Sequence, residues 1–347
     1  MVLLMLVVLY FCSLEEVVAS DNPISPQAYK NVLNQGFATT YFEQLNFDQV
    51  YDKKDVVDVS ERGFTNLRLR CREDLDGFNM TAFLANLETV VDDCLSLNVT
   101  PYISWINHAA EADATEEYRQ GYLDWWKAVA IQLKDKDYRL SFNLFTELDT
   151  DSSLRTNSSG YNDWTRSVIK VIRDTGGNNE KRILILASPE ISAEGLQKID
   201  PTIYQNDTYL MIEAHTYAAG PQNIFENGSC KSSPPRCWIG DGETIGKSLV
   251  DQNIEFATKF TKDNGIEIVW GAWMPFDNTS GGLNQTEVID FSTYFVQSLK
   301  NASIPWSVND LDKFYDVMAS QWKTELSTIK EQQFNTTLVL DAIVENM

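Results

Sequence analysis

Carboxyl and imidazole side chains stand where the apolar runs of this sequence end. Glu147 follows the run LSFNLF, and His215 and Tyr217 close the run YLMIEAHTY. The other of the two histidines, His108, also follows an apolar run. Carboxylates and imidazoles that lie together exchange protons with a substrate, which is general acid–base chemistry. The placement therefore predicts a site built from the ends of these runs.

The apolar runs alternate with amphipathic helical segments along the chain. Eight of them predict strands, at 36–42, 64–70, 100–107, 139–147, 182–188, 209–217, 266–274 and 304–310. Eight such units without a linker favour a single (β/α)8 TIM barrel, an α/β fold with a helical C-terminal tail, over residues 21–347. A doubly wound open sheet is the alternative, and the lack of a glycine-rich phosphate loop weakens it.

In such a barrel the chemistry lies at the C-terminal ends of the strands. Alternation from His215 and Tyr217 points Glu213 into the barrel, because side chains two apart share a strand face. A carboxylate buried there needs a cation, so we expect Glu213 to pair with Arg68 or another cation.

Several of these segments together resemble the cellulases of glycoside hydrolase family five. The resemblance is carried in order by GFTNLRLR, SWINHAAEA, LSFNLFTEL, EAHTY and WSVNDL. It places Arg68 on the site arginine of the family, His108 on the third-strand histidine, Glu147 on the acid/base glutamate, and His215 with Tyr217 on the sixth-strand His-x-Tyr.

The same resemblance implies an altered catalytic centre. The seventh strand of the family carries Gly-Glu-Phe or Gly-Glu-Trp with the glutamate as nucleophile, and this chain has Ala272 at that position, before Trp273. Thr146 replaces the asparagine before the acid/base, and Asn309 replaces the eighth-strand tryptophan. A methyl group cannot attack a sugar, so retaining hydrolysis is lost. We expect a glycan-binding or extracellular structural protein, in which Arg68, His108, His215, Tyr217 and Trp273 hold a β-linked glycan without cleaving it.

Two other functions remain open. A working glycoside hydrolase on β-glucan or mannan could use a displaced carboxylate, with Glu147 and either Glu190 or Asp310 about 6.5–9.5 Å apart, as inverting enzymes require. An acidic extracellular-matrix or mineral-associated protein is the third reading, because the net charge is −22. The acids are dispersed, however, which is typical of a solvated surface.

Composition excludes other partners. Lys and Arg number 28 against 50 Asp and Glu, so a nucleic acid would be repelled. Two distant histidines and no ligand-spaced cysteine cluster give no zinc pattern, and we expect neither a metal nor a cofactor.

The sequence also predicts export. Residues 1–20 read as a signal peptide, and no later run is apolar enough to span a bilayer, so we expect a secreted, extracellular chain without a membrane segment. Nine Asn-X-Ser/Thr sequons agree with a glycosylating pathway, at Asn79, Asn98, Asn157, Asn206, Asn227, Asn278, Asn284, Asn301 and Asn335.

We predict one disulfide, between Cys230 and Cys237, which flank a short Pro-rich loop whose closure contributes about 2.5 kcal/mol. Cys71 and Cys94 lie at opposite ends of a strand–helix unit, about 20 Å apart at 1.5 Å per helical residue, and should stay reduced. Non-reducing peptide mapping checks both statements. A linked Cys71–Cys94 peptide would contradict the barrel topology as well.

Overall fold

Eight parallel strands form a closed barrel in the order β1-β8-β7-β6-β5-β4-β3-β2. The computed structural model of the chain describes residues 22–148, 152–218, 225–226, 229–230, 238, 246–276, 283–324, 326–329 and 332–347. The strands are β1 (Gln35–Phe42), β2 (Asn66–Arg72), β3 (Thr100–Ile106), β4 (Ser141–Asn143), β5 (Leu184–Ala187), β6 (Leu210–Tyr217), β7 (Glu267–Met274) and β8 (Trp306–Val308).

Helices connect the strands on the outside of the barrel. They are α1 (Pro26–Leu33), α2 (Phe47–Val50), α3 (Lys53–Glu61), α4 (Met80–Ser96), α5 (His108–Asp113), α6 (Glu116–Leu133), α7 (Ser153–Thr156), α8 (Ser158–Arg173), α9 (Pro201–Asn206), α10 (Gly246–Asn264), α11 (Gln285–Asn301) and α12 (Thr336–Asn346). Short 3-10 turns cover Gly177–Glu180, Ala193–Lys198 and Leu311–Lys313. None of the helices within the described ranges has the length and apolarity needed to cross a membrane.

The barrel predicted from the sequence is confirmed, and so is the C-terminal helix. The tail differs in one respect, because two short antiparallel strand pairs, Tyr315–Asp316 with Gln321–Trp322 and Leu326–Ile329 with Gln332–Asn335, precede α12. The fourth strand is shorter than expected. Beyond Asn143 the chain bends but remains hydrogen-bonded to the barrel, since the Leu144 and Thr146 amides donate to the carbonyls of Ile185 and Trp105.

The barrel has two apolar layers with different roles. The inner plug contains Tyr29, Leu33, Tyr102, Ile183, Ile185, Met211 and Val269, all buried. The Tyr29 hydroxyl of α1 donates to the Arg139 carbonyl at 2.7 Å, so α1 closes the N-terminal end of the barrel. The opposite end of the barrel, at the C-terminal ends of the strands, is not covered by α1 and can hold a functional site.

The free cysteines of the described residues are Cys71 and Cys94, and both are buried. Burial raises the pKa of each thiol, which keeps both protonated and unreactive. The side chain of Cys230 and all of Cys237 lie outside the described residues, so the predicted bridge remains a prediction. The same holds for the signal peptide at residues 1–20.

Arg182 ties α6 to the start of β5. It is fully buried, and its guanidinium donates to the carbonyls of Leu133, Lys136, Asp137 and Leu140 at 2.8–3.1 Å. The last carbonyls of a helix have no partner within the helix, so a cation there satisfies them and opposes the negative end of the helix dipole.

Arg182→Met should therefore destabilise the fold by about 3 kcal/mol or more, because several buried carbonyls lose their donor at once. Arg166→Met is the control, since that side chain is 42% exposed and its ion pairs lie at the surface; a change within about 0.5 kcal/mol is expected there. Urea unfolding followed by tryptophan fluorescence measures both. Equal effects of the two substitutions would contradict the structural role of Arg182.

Candidate functional site

The C-terminal ends of β2, β4, β6 and β8 bring polar side chains to one face of the barrel, here called the mouth. Parallel strands all end on the same side, so residues far apart in the chain meet there. Side chains two residues apart share a strand face, which puts both Arg68 and Arg70 of β2 inside. Arg68 lies deeper, and Arg70 lies nearer the rim.

A buried ion pair forms the floor of the mouth. The Arg68 guanidinium lies 2.6 Å from Glu213 Oε1, and the two side chains are 1% and 0% exposed. Arg68 also donates to Ser104 Oγ and to Asn143 Oδ1, each at 2.9 Å. Asn143 in turn donates to the second Glu213 oxygen. Both charges are thus paired and hydrogen-bonded, as a charge removed from water requires.

Gly271 makes room for this ion pair. A Cβ placed at this position would lie 1.7 Å from Glu213 Oε1. No side chain can occupy that space, so the glycine of β7 is required by the close approach of the carboxylate.

His215 joins two carboxylates. Its Nε2 lies 2.6 Å from Glu213 Oε1, and its Nδ1 lies 3.2 Å from Glu147 Oε2. The Tyr217 hydroxyl donates to the same Glu147 oxygen at 2.6 Å. A continuous chain of polar contacts therefore runs from Arg68 through Glu213 and His215 to Glu147. It unites the predicted site residues Arg68, Glu147, His215 and Tyr217.

These contacts shift the pKa values of Glu147 and His215 in opposite directions. Burial alone raises the pKa of Glu147, but the hydrogen bonds and charge of His215, with help from Tyr217 and Arg70, lower it to about 2. Burial lowers the pKa of His215, yet Glu213 and Glu147 together raise it above 6.5. These opposite shifts in pKa favour an ionised Glu147 beside a protonated imidazole.

Ala272 lies beside His215 on the inner face of the barrel. The two residues are register partners in the parallel pair β6–β7, and paired residues point to the same face. Ala272 is 1% exposed and offers only a methyl group. The place next to the Glu147–His215 pair that a second carboxylate would need is thus occupied by hydrocarbon.

The other candidate carboxylates are bound to cations. Glu190 pairs with Lys198 at 2.5 Å, and Asp310 pairs with Arg70 at 2.5 Å. Glu213, the fully buried partner of Arg68, is out of reach of a ligand. The arrangement therefore leaves Glu147, whose side chain is 26% exposed, as the accessible acid of the polar chain.

A second polar cluster lies at the rim, around Arg70. Its Nη1 donates to Asn309 Oδ1 at 3.0 Å, and its Nε lies 2.9 Å from Glu43 Oε1. Burial raises the pKa of Glu43 to about 7, although Arg70 opposes the rise. Glu43 and Asn143 were not predicted from the sequence as site residues. Glu43 directly follows an apolar strand, so its position was a signal, whereas nothing local marks Asn143.

Trp273 does not line the mouth, contrary to the expectation from the sequence. It is fully buried, and its ring lies 5.3 Å from Phe295 of α11 and 5.5 Å from Trp306. It fills the layer between barrel and helices and cannot stack on a ligand in the mouth. His108 is at the mouth, exposed as the first residue of α5, where its backbone amide donates to Asp74.

Two further features concern what the site can hold. The Thr146 hydroxyl is buried and has no hydrogen-bond partner among the described residues. Across the same part of the chain, no cluster of three or more His, Cys, Asp or Glu side chains is arranged to hold a metal ion. Asp277, Asn278 and Asn227, which follow β6 and β7 in sequence, lie outside the described residues.

The sequence of this chain is similar to a known protein family and to known proteins. A family model described as cellulase (glycosyl hydrolase family 5) matches residues 27–314. Endoglucanase B of Paenibacillus lautus is 23% identical over 256 residues, which cover 70% of this chain and 43% of that protein. Endoglucanase A of Clostridium longisporum is 21% identical over 266 residues, covering 71% and 48%. The chain thus spans less than half the length of these two relatives.

Solved structures share the fold. Thermotoga maritima Cel5A in complex with cellobiose aligns with a TM-score of 0.71 at 16% identity, covering 92% of this chain and 99% of that one. Its complex with a mannotriose substrate gives 0.72 at 15% identity, with coverage of 92% and 99%. The structure of ZgEngAGH5_4 with a cellotriose gives 0.73 at 15% identity, covering 93% and 99%.

The contacts of His215 predict a titration. Its imidazole pKa should lie above 6.5 and fall in Glu147→Gln, because one of the two negative partners is lost. Tyr217→Phe is the control, since it removes a hydroxyl and keeps the carboxylate. By linkage, the folding stability that the raised pKa of His215 contributes is fully present below pH 6.5, and it is lost as the pH rises through that pKa. NMR measures the pKa, and His108→Gln assigns the signals. An unchanged His215 titration in Glu147→Gln would refute the pairing.

Proposed function

The chain belongs to glycosyl hydrolase family 5, and on that basis we propose that it is a secreted glycoprotein that binds a short β-linked glycan in the mouth of its barrel without hydrolysing it. The observation that carries the proposal is the position of Ala272. It is the register partner of His215 and stands beside the acid/base candidate Glu147, where retaining hydrolysis needs a nucleophilic carboxylate.

The absence of a carboxylate at position 272 has two chemical consequences. No covalent glycosyl–enzyme intermediate can form there, because a methyl group has no electron pair to donate. In addition, no neighbouring negative charge raises the pKa of Glu147, as a second carboxylate at short distance would. With its pKa near 2, Glu147 has no proton to give to a leaving group at neutral pH.

The same residues retain the features of a sugar-binding site. A partly exposed carboxylate accepts hydrogen bonds from sugar hydroxyls, and Glu147 is held in place by Tyr217 and His215. Arg70 and Asn309 line the rim with further polar groups. The neighbouring structures with cellobiose, mannotriose and cellotriose support a β-linked glucan or mannan fragment as the ligand class.

Export is the second part of the proposal. It is supported by the apolar segment at residues 1–20 and by the nine sequons. Seven of these sequons lie in described residues, and the asparagines of six are exposed, with Asn335 partly buried. Exposed sequons are accessible in the folded chain, as glycoprotein surfaces require.

The decisive test of this function is hydrolysis. The wild-type chain should show no release of reducing ends from soluble β-1,4-glucan or mannan above the level of Glu147→Gln. Loss of a nucleophile lowers turnover by about four or more powers of ten, which outweighs every residue retained. Ala272→Glu should restore little alone, because Thr146 and Asn309 also depart from the family pattern. The triple variant with Thr146→Asn and Asn309→Trp is the fuller restoration.

Calorimetry with cellotriose and mannotriose tests whether the chain binds these sugars. Binding to the wild-type chain that weakens in Tyr217→Phe and in Arg70→Met supports a site in the mouth, and Arg166→Met on the outer surface is the control. Robust wild-type turnover that is abolished by Glu147→Gln or Asp310→Asn would overturn the proposal. It would show that a displaced carboxylate completes an active hydrolase.

A further inference from the structure

Among the described residues, three sequons stand at the mouth because of the direction in which the helices run, and a fourth, Asn335, caps α12 beside Gln285 of α11. Each helix that follows a barrel strand begins at the mouth and returns to the opposite end. Asn79 is the N-cap of α4, Asn157 is the N-cap of α8, and Asn284 is the N-cap of α11. These three asparagines, here called the mouth sequons, are all exposed.

The capping geometry is compatible with a glycan at each of them. Oδ1 of Asn79 accepts from the Ala82 amide at 3.0 Å, and Oδ1 of Asn157 accepts from Gly160 at 3.0 Å. Oδ1 of Asn284 accepts from Thr286 at 2.9 Å. The cap uses the amide oxygen, whereas a glycan is attached through the amide nitrogen. One side chain can therefore cap its helix and carry a sugar.

The sequons at the other end of the barrel differ in setting. Asn206 and Asn301 are the last residues of α9 and α11, so they lie at the end that α1 closes. Nδ2 of Asn206 donates to the Thr202 carbonyl at 2.7 Å, and a glycan on that nitrogen competes with this contact. Asn98 is also at this end, and its Oδ1 accepts from Arg139. None of these three helix-end asparagines serves as an N-cap.

We propose that N-glycans on Asn79, Asn157 and Asn284 surround the mouth and restrict its ligand to a short oligosaccharide or a chain end. This inference rests on the proposed function, because it assumes export and a site at Glu147. The N-caps of α4, α8 and α11 belong to the second, fourth and seventh βα units, so they are distributed around the barrel circumference. Bulky, hydrated glycans there obstruct a polymer lying across the mouth and leave the axial approach open.

The first part of the test measures occupancy. The full chain is expressed in a secreting eukaryotic host, and glycosidase treatment in heavy-oxygen water marks each occupied asparagine by mass. We expect all three mouth sequons to be occupied. Unmodified Asn79, Asn157 and Asn284 in secreted protein would overturn the inference, whatever the chain binds.

The second part removes glycans without removing caps. Thr81→Ala, Ser159→Ala and Thr286→Ala each destroy a mouth sequon and keep the capping asparagine. The matched control combines Thr208→Ala with Asn301→Gln, which deletes sequons at the opposite end. Retention on soluble β-1,4-glucan in affinity electrophoresis should rise severalfold in the triple mouth variant and stay unchanged in the control. Cellotriose affinity should be equal in all three proteins.

The third part is independent of sugar binding, so it separates failure of this inference from failure of the proposed function. Glu147→Cys places a thiol in the mouth, and Tyr217→Cys serves if that variant does not fold. The rate of labelling by a polyethylene glycol maleimide, relative to N-ethylmaleimide, should rise severalfold when the mouth sequons are removed. An unchanged ratio would overturn the obstruction. Loss of cellotriose binding with a changed ratio would refute only the proposed ligand.

Discussion

The buried ion pair between Arg68 and Glu213 is the constraint on which the site depends. Two charges that are almost wholly removed from water persist only when their remaining hydrogen-bonding groups are also satisfied. Ser104, Asn143 and His215 supply those partners from three other positions on the barrel wall. The pair therefore holds β2, β3, β4 and β6 in a single register at the mouth, and the close approach of β7 at Gly271 follows from it.

The charges next to this pair, on His215 and Glu147, determine whether Glu147 can donate a proton. His215 is shared by two carboxylates, which favours its cationic form, and the cation in turn favours the ionised form of Glu147. A hydrolase needs a different balance, in which a second carboxylate beside Glu147 keeps one proton available. In the function proposed here, Ala272 supplies no such second charge. On that proposal, one position affects both the nucleophile and the acid, because the two functions are electrostatically coupled.

Aromatic side chains fill much of the outer layer of the barrel. Trp105, Trp125, Trp126, Trp270 and Trp273 are all buried between the barrel and its helices, and they account for a large share of the apolar surface removed from water. None of these five rings takes part in the polar chain that runs from Arg68 to Glu147. The apolar packing around the barrel and the polar contacts of its mouth therefore involve different residues, so a fold and its site can vary separately.

The sequence by itself determined the elements, their order and most of the polar chain. Strand and helix periodicities are local, and alternation along β6 correctly placed Glu213 on the inner face with His215 and Tyr217, while the family resemblance located Arg68. Only the tertiary structure decided the faces of β7. Its register shifts between Ala214 and His215, which skips Gly271 and turns Trp270 and Trp273 to the same outer side against Phe295. The shift lies beside the close approach of the Glu213 carboxylate to Gly271, a contact between residues more than fifty positions apart, and no local pattern in the chain encodes it.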